Sequence, residues 1–239
     1  MQGGLRQMLE VLSAWKDQLY STFIEQDRYM MLLDGFKNTM IITICALLIG
    51  VVVGSTIAIV KFFAEESRAL KPLAAICDFY VTAIRGIPVV VLLLIFYFLI
   101  LKSADGIVTG IVTFGINSGA YMAEIVRGGI AAVDRGQMEA ARSLGMNRMQ
   151  AMFRVIMPQA VKNILPAIGN EMIALLKETS VAGYVAVQDL TRAANLIRNN
   201  TYDAFNPLMV TAIVYLSLVV IMTRLLGILE RRLRKSDNR

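Results

Sequence analysis

Long apolar runs alternate with short polar segments along most of the chain. A helix that crosses the ~30 Å hydrocarbon core of a bilayer needs about 20 apolar residues. Runs of that length cover residues 38–60, 106–126 and 207–228, and a longer run covers 72–101. The sequence RGIP at 85–88 interrupts the longer run, because glycine and proline disturb the backbone hydrogen bonds of a helix. The pattern therefore predicts three spans and one broken span.

A further segment, 163–187, is long enough to span but is unusually polar for a membrane helix. It contains Pro166, Asn170, Glu171, Lys177, Glu178, Thr179 and Ser180. The two hydroxyl side chains compete for backbone hydrogen bonds at a point where the helix can unwind. Many transporters use helices broken near the middle of the membrane to meet a charged solute. We predict a fifth, broken and functional span in an all-α integral membrane protein.

Composition supports the membrane assignment and excludes several kinds of chemistry. Of 239 residues, 56% are hydrophobic and 18% are charged, and the mean hydropathy is +0.60. The N-terminal region has no cleavable signal pattern, so we expect the apolar runs to be retained. Histidine is absent, Cys45 and Cys77 are the two cysteines, and no phosphate-binding loop motif occurs. These absences argue against a disulfide framework, a metal site or a cofactor on this chain.

The distribution of basic residues predicts the orientation, because lysine and arginine are retained on the cytoplasmic side. With five spans, the connections 61–72 and 127–157 lie on the same side as the tail 229–239, which is rich in arginine. The tail is then cytoplasmic and the N-terminus external. Residues 1–35 are expected to form an external, partly amphipathic segment along the membrane surface. A disordered leader is the alternative.

Glycines spaced four residues apart recur in the apolar runs. The pairs are Gly50 and Gly54, Gly106 and Gly110, and Gly115 and Gly119. This spacing lets membrane helices approach closely. It predicts tight packing within the subunit or against another subunit, with coincidental spacing as the alternative.

The polar segment 134–158 has the features of two folded helices. Gly145 can adopt the left-handed conformation that ends the first helix. Asn147 and Gln150 have the spacing of a capping box that begins the second. An apolar stripe then follows, and Pro158 is predicted to end the helix; the stripe comprises Met149, Met152, Phe153 and Ile156. A pair of surface helices resting on the membrane fits the same pattern.

The same segment resembles the EAA loop of importer permeases of the ATP-binding cassette (ABC) class. The positions that match its pattern are Glu139, Ala140, Ala141, Gly145 and Pro158, whereas Val155 and Met157 replace the usual isoleucine and leucine. In that family the loop forms a coupling helix that docks into a groove of the ATPase subunit. The resemblance implies that residues 139–145, including Leu144, are the ATPase-coupling element and that MgATP binds the partner.

Four collinear blocks resemble the polar amino-acid permeases, which import histidine, glutamate, glutamine, arginine or opines. They are RGIPVVVLLLIFYF (85–98), GAYMAEIVRGGIAAVDRGQMEAARSLG (119–145), VIMPQAVKNILPAIGNEMIALLKETSVAGY (155–184) and VQDL (187–190), within a membrane domain of 36–228. Ile87 replaces the threonine that is commoner in the family. The resemblance implies a type I ABC importer fold of about five transmembrane helices in the cytoplasmic membrane of a prokaryote. It also implies alternating access.

The resemblance implies several partners as well. In this family two membrane subunits, identical or related, assemble with two cytoplasmic ATPases and an external substrate-binding protein. Energy would therefore enter only through the ATPase, and this chain would not be an enzyme. We expect an amino-acid substrate and no nucleic acid.

Polar residues inside the predicted spans are candidates for the solute path, because ionisable groups at membrane depth normally face a cavity or a partner. Asn117, Tyr121 and Glu124 share one helical face. The segment 163–187 adds two polar stripes, Asn170 with Lys177 and Glu171 with Glu178, followed by Thr179 and Ser180. The hypothesis is that Lys177 faces the solute carboxylate and that Glu124, Glu171 or Glu178 faces its ammonium group.

A purely structural interpretation of these charges is also open. Glu124 has the spacing to pair with Arg127, and Lys177 can pair with a nearby carboxylate, without either residue meeting the solute. Two other functions fit parts of the pattern. An ion or solute channel leaves the segment 134–158 unexplained, and a membrane-embedded enzyme lacks the usual histidine or metal ligands.

Overall fold

The computed structural model describes residues 2–65 and 67–235, with side chains throughout these ranges except at 2–6, 8, 9, 11, 234 and 235. The described residues form helices and no β-strand, which confirms the predicted all-α class. The helices are α1 (Gln2–Leu19), α2 (Tyr29–Ala64), α3 (Lys71–Gly86), α4 (Val89–Ile95), α5 (Gly106–Ala131), α6 (Arg135–Ser143), α7 (Arg148–Ala151), α8 (Met157–Glu178), α9 (Leu190–Thr201) and α10 (Phe205–Lys235).

Shorter irregular turns join or extend several of these helices. They are π-helical at Tyr20–Ile24, Phe96–Ile100 and Met152–Ile156, and 3₁₀-helical at Glu25–Asp27, Arg68–Leu70 and Thr179–Val185. Aspartate side chains begin some of the main helices by accepting orphan backbone N–H groups. Asp105 accepts from the N–H of Ile107 at 2.7 Å at the start of α5, and Asp189 accepts from that of Thr191 at 2.9 Å at the start of α9.

Within the described residues, α2, α5 and α10 are long and apolar enough to cross a membrane. The helices on either side of the predicted RGIP interruption form a fourth candidate, bent by 107°. Ile87 adopts an extended conformation at the bend, as expected for a residue before proline. The break in the second apolar run is therefore where the sequence predicts it.

The polar fifth segment is helix α8, which is less apolar than α2, α5 and α10 and is not a candidate span by length and composition. It begins at Met157 instead of residue 163, and Pro166 lies inside it without ending it. Regular helix stops at Glu178, and the chain continues as the 3₁₀ turn from Thr179. The Thr179 hydroxyl donates to the Leu176 carbonyl at 2.7 Å. The predicted unwinding at Thr179 is thus present.

Close packing of α2 against α5 forms the centre of the molecule. A Cβ added to Gly50 would lie 2.7 Å from Ser118 Oγ, and one added to Gly115 would lie 2.8 Å from Ile49 Cγ2. A Cβ on Gly54 would collide with the Cβ of Met122. Real side chains do not fit at such separations, so these glycines permit the contact. The predicted tight packing occurs within the subunit.

The N-terminal region contacts the beginning of α10. Trp15 Nε1 donates to Asn206 Oδ1 at 3.0 Å, and Thr22 Oγ1 donates to Asp203 Oδ2 at 2.9 Å. Helix α1 is therefore an ordered part of the fold and not the disordered leader that the sequence left open. Because α2 begins at Tyr29, residues 29–35 belong to the first long helix and not to a separate N-terminal segment.

Helix α2 has 36 residues and is therefore about 54 Å long. Its other end contacts the polar segment between α5 and α8. Arg148 Nη2 donates to the Phe62 carbonyl at 3.2 Å and pairs with Glu65 Oε2 at 2.9 Å. The Arg148 guanidinium also lies 4.2 Å from the Phe62 ring centroid. The predicted tail begins inside α10, which continues to Lys235, and residues 236–239 lie outside the described part.

Candidate functional site

A cleft of about 490 Å³ opens between α3, α5 and α8. Its lining consists of Arg85, Tyr121, Glu124, Ile125, Ala167, Asn170 and Glu171. Four of the predicted solute-path residues therefore share one cavity, although they come from helices that are distant in sequence. The spacing of Tyr121 and Glu124 on α5, and of Ala167 and Asn170 on α8, places each pair on one helical face.

Arg85 supplies the positive charge of the cleft. It lies in the last turn of α3, immediately before the bend, and its guanidinium is 5.1 Å from the centroid of the Tyr121 ring. Such a cation–π contact orients a guanidinium while leaving its N–H donors available. Arg85 was not among the predicted solute-path residues. The available signal was an arginine within an apolar run beside the RGIP break.

Glu171, which lies on α8, supplies a negative charge to the cleft. Its Oε1 accepts a hydrogen bond from Ser118 Oγ of α5 at 3.1 Å, and the side chain is half-buried. Ser118 is neutral, so this bond fixes the carboxylate without neutralising it. Ser118 was also missed by the sequence argument, since its role depends on how α5 packs against α8.

A second polar contact joins the same helices beyond the cleft. Asn117 Nδ2 donates to Glu178 Oε2 at 3.2 Å. Glu178 lies seven residues after Glu171, about 10 Å farther along α8. Asn117 is buried and neither residue lines the cleft. The structure therefore divides the predicted carboxylate pair, with one member at the cleft and the other in an interhelical hydrogen bond.

Lys177 does not line this cleft, so the hypothesis that it faces the solute carboxylate stays a prediction that the cleft does not support. Although it shares a helical face with Asn170, it is two turns farther along α8 and exposed. In the described part of the chain it makes no close salt bridge, although the carboxylate of the adjacent Glu178 attracts it electrostatically, so the alternative of a structural ion pair also stays a prediction. Thr179 is fully buried, and Ser180 is half-buried outside the cleft lining.

Glu124 is paired as the structural interpretation predicted. Arg127 Nη2 lies 2.7 Å from Glu124 Oε2, and Arg127 Nε lies 3.3 and 3.2 Å from the two carboxylate oxygens. Lys61 Nζ is 3.8 Å from Glu124 Oε1 and 2.6 Å from Asp78 Oδ1. Glu124 nevertheless also lines the cleft.

A larger cavity of about 920 Å³ lies at the end of α2 that carries Lys61. Lys61, Asp78 and Arg127 line it, together with residues of the polar segment such as Glu139 and Arg142. The linings of this cavity and of the cleft have no residue in common. Glu124 thus lines the cleft, whereas its partners Lys61 and Arg127 line the larger cavity.

The polar segment 134–158 folds locally much as its sequence predicts. Asp134 Oδ1 accepts from the N–H of Gly136 at 2.6 Å at the start of α6, and Gly145 has φ of +83° after its end. Asn147 Oδ1 accepts from the N–H of Gln150 at 2.8 Å, and Gln150 Oε1 accepts from the N–H of Asn147 at 3.0 Å. The predicted left-handed glycine and capping box are confirmed.

Pro158 does not end the second helix, contrary to the prediction. The helix that begins at Arg148 passes through the π turn Met152–Ile156 and continues as α8. The N–H of Met157 bonds to the Met152 carbonyl, and Pro158 then falls in the first turn of α8, where its missing N–H is tolerated. Of the predicted apolar stripe, Met152 and Ile156 are buried, whereas Met149 and Phe153 are 54% and 47% exposed.

The predicted coupling residues are mostly at the surface. Leu144 is 81% exposed, and Glu139, Ala140, Gly145 and Pro158 are exposed as well, whereas Ala141 is buried. In the described part of the chain, Glu139 has neither a hydrogen bond nor a salt bridge. The exposure of this segment leaves it accessible to another protein.

Comparison with known proteins decides the family. Residues 50–235 match the family model described as the binding-protein-dependent transport system inner membrane component. The chain belongs to this family. It is thus the membrane permease subunit of an ABC transporter, and ATP hydrolysis belongs to a separate subunit. The family works with ATPase and substrate-binding protein partners in the inner membrane.

Curated relatives cover nearly the whole permease. The probable glutamine ABC transporter permease protein GlnM of Bacillus subtilis (strain 168) is 36% identical over 213 residues, 88% of this chain and 96% of the relative. The arginine transport system permease protein ArtQ of the same strain is 35% identical over 210 residues, 86% of this chain and 94% of the relative. The resemblance to polar amino-acid permeases is confirmed, and these relatives are not channels.

Solved structures confirm the type I importer fold of the permease. A crystal structure of an amino acid ABC transporter with histidines has a TM-score of 0.81 and 41% identity, covering 88% of this chain and 98% of that chain. An inward-facing conformation of the MetNI methionine ABC transporter has a TM-score of 0.76 at 20% identity, covering 86% and 97%. The second likeness concerns the fold alone.

Proposed function

We propose that this permease imports polar amino acids and that the cleft between α3, α5 and α8 contacts the solute. An amino acid carries one carboxylate and one ammonium group, and both must exchange water for protein partners inside a membrane. The observation that carries the proposal is the presence of Arg85 and Glu171 in one cleft. The guanidinium suits the solute carboxylate and the Glu171 carboxylate suits the ammonium group. The named relatives, permeases for glutamine and arginine, support this substrate class.

The exposed segment from Glu139 to Gly145 is proposed to dock on the ATPase. Each transporter would contain two ATPases, which bind MgATP, and a second permease subunit that is either a copy or a relative of this chain. No cofactor is proposed for this chain itself. ATP binding would close the ATPase pair, draw the two coupling helices together and open the path outward.

Helix continuity offers a route from the docking segment to the cleft. The chain is helical without interruption from Arg148 through Glu178, so one continuous helical segment joins Glu171 to the beginning of α7. The separation is 23 residues, about 35 Å along the axis. A displacement of the coupling segment would therefore tilt the helix that carries one wall of the cleft. This mechanism produces alternating access without any chemistry on the permease.

We propose the orientation of the permease in the membrane from the helices and basic residues at its two ends. The end that contains α1 and α9 would face outward and receive the substrate-binding protein. The opposite end, which contains α6 and the basic residues of the larger cavity, would face the cytoplasm, as the distribution of lysine and arginine favours. Helix α10 would then carry the tail into the cytoplasm.

Reconstitution of the permease with its ATPase and binding protein in proteoliposomes tests the cleft. Amino-acid uptake and amino-acid-stimulated ATPase activity are measured for Arg85→Gln, Glu171→Gln and the control Lys177→Gln. We expect each cleft variant to lower uptake by about tenfold or more, since a hydrogen bond to a charged group contributes about 1.5–3 kcal/mol. The control should stay within about twofold. Loss in the Lys177 variant with normal uptake in both cleft variants would contradict the proposal.

A further inference from the structure

The C-terminal end of α2 receives a side chain from the polar segment between α5 and α8. The last turn of α2 contains the carbonyl of Phe62, and Arg148 Nη2, from the beginning of α7, donates to it at 3.2 Å. Cationic side chains commonly bond to the carbonyl groups at the end of a helix, where the helix dipole also favours positive charge. Arg148 therefore joins α7 to the end of α2.

Two further contacts hold Arg148 at this helix end. Its guanidinium lies 4.2 Å from the centroid of the Phe62 ring, and its Nη2 lies 2.9 Å from Glu65 Oε2. The Arg148 side chain is only 18% exposed, whereas that of Glu65 is 70% exposed. An ion pair to such an exposed carboxylate contributes little. The ring and the carbonyl of Phe62 are therefore the main partners of Arg148 on α2.

Helix α2 continues without a break from this contact to the opposite end of the molecule. There, Asn38 Nδ2 donates to the Gln188 carbonyl at 3.0 Å, and the N–H of Leu190 donates to Thr39 Oγ1 at 3.1 Å. Gln188 and Leu190 lie at the start of α9, at the end that is proposed to receive the substrate-binding protein. One helix thus connects the polar segment with the start of α9.

Between its two ends, α2 packs on the helix that carries one side of the cleft. The contacts at Gly50 and Gly54 leave no room for a Cβ between α2 and α5. Tyr121 and Glu124, which line the cleft, belong to α5. A displacement of α2 therefore acts on α5, because closely packed helices have little free space in which to move independently.

We infer that Arg148 is a coupling residue: through Phe62 it transmits movement of the ATPase-docking segment to α2, and so to the start of α9 and to α5. This route is separate from the one along α8. The inference rests on the proposed function, because it assumes that residues 139–145 dock on the ATPase and that α9 faces the binding protein. Arg148 is a positioning residue, which need not touch the ATPase or the solute.

Stimulation of the ATPase by the binding protein tests this inference. The complete transporter is reconstituted in proteoliposomes, and its ATPase rate is measured with and without binding protein loaded with glutamine or arginine, whichever stimulates the wild type. Arg148→Met keeps a long side chain beside Phe62 but removes the charge and the donors. We expect it to lower the ratio of stimulated to basal rate, per assembled complex, by at least about fivefold. The basal rate and the recovery of ATPase should stay within about twofold, since the docking segment itself is unchanged.

Arg148→Lys separates the role of the cation from that of packing. An ammonium group can also bond to a carbonyl and lie over an aromatic ring, so this variant should retain at least about half of the stimulation. A loss as large as that of Arg148→Met would contradict the inference. Should Arg148→Met not assemble, Phe62→Leu leaves Arg148 in place and should lower the ratio by about twofold or more. A wild-type ratio in Phe62→Leu would then overturn the inference.

Arg154→Met is the matched control. Arg154 lies six residues after Arg148, is exposed, and forms neither a hydrogen bond nor a salt bridge within residues 2–65 and 67–235. Its replacement should leave the stimulation ratio at the wild-type value. An unchanged ratio in Arg148→Met, or an equal loss in Arg154→Met, would overturn the inference alone. Normal recovery of the ATPase with Leu144→Ser would instead overturn the proposed docking segment.

Discussion

The carboxylate of Asp203, at the start of α10, accepts a hydrogen bond from the hydroxyl of Thr22 at 2.9 Å, across 181 positions of sequence. The same carboxylate accepts from the side chain of Asn206 at 2.7 Å and from the backbone N–H of Phe205 at 3.1 Å. The hydrogen bond between Thr22 and Asp203 connects the N-terminal region to α10, at the end of the molecule that is proposed to face outward.

Removing the Asp203 carboxylate should weaken the contact between the N-terminal region and α10. Hydrogen bonds to a charged group contribute about 1.5–3 kcal/mol, so we expect Asp203→Ala to lower stability by about 2 kcal/mol or more. Thr22→Val should lower it by less, because only one donor is lost. Thermal unfolding in detergent, followed by helical circular dichroism, measures both effects. Equal melting temperatures for all three proteins would show that the contact contributes nothing.

The same site predicts a pH dependence. Burial by itself raises the pKa of Asp203, but hydrogen bonds from Asn206, Thr22 and Phe205 outweigh it and hold the pKa below its usual value. A carboxylate whose pKa is lowered by folding stabilises the folded state above its unfolded pKa of about 3.9, and this stabilisation is lost as pH falls through the folded pKa. The difference in melting temperature between wild type and Asp203→Ala should thus be full at pH 7 and shrink below about pH 4. A constant difference down to pH 3 would contradict this assignment.

The packing of α2 on α5 depends on Gly54. A Cβ there would collide with Met122 and lie 2.6 Å from the backbone nitrogen of Ala123, so the helices must separate to accept alanine. We expect Gly54→Ala to destabilise the permease by about 1–3 kcal/mol. Gly128 on α5 is a matched control, since a Cβ there meets nothing within 4 Å. Gly128→Ala should be neutral or slightly stabilising in the same unfolding assay; similar losses in both variants would argue against steric packing at Gly54.

Sequence reasoning succeeded where the controlling physics is local. The left-handed Gly145 and the reciprocal bonds of Asn147 and Gln150 depend on a few neighbouring residues, and both are present. The extended Ile87 before Pro88 marks the predicted break for the same reason. Span positions also followed from apolar length, although α2 begins earlier and α10 ends later than the apolar runs alone indicate.

Sequence reasoning failed where the structure depends on contacts between helices that are distant in sequence. Helical periodicity placed Lys177 on the same face as Asn170, but only the depth of packing against α3 and α5 shows that the cleft ends before Lys177. Arg85 became the positive group of the cleft because α3 packs against α5, which brings its last turn to Tyr121. Similarly, nothing local predicted the π turn that carries the helix past Pro158.

The exposed surface around Leu144 should be needed for ATPase association. Its side chain is 81% exposed, and desolvating a large apolar side chain contributes about 1.5–3 kcal/mol. We expect Leu144→Ser to reduce co-purification of the ATPase by about tenfold or more, while membrane insertion persists. Tyr202→Ser is the control, because Tyr202 is 95% exposed at the opposite end of the molecule. Normal ATPase recovery with Leu144→Ser would place the docking surface elsewhere.

The position of a bound amino acid tests the central claim most directly. A cryo-electron microscopy map of the complete transporter, prepared with saturating glutamine, should show solute density in the cleft, with its carboxylate at Arg85 and its ammonium group at Glu171. The Glu171→Gln complex, prepared identically, should lack that density. Solute density beside Lys177 and Glu178, with the cleft empty in both maps, would contradict the account.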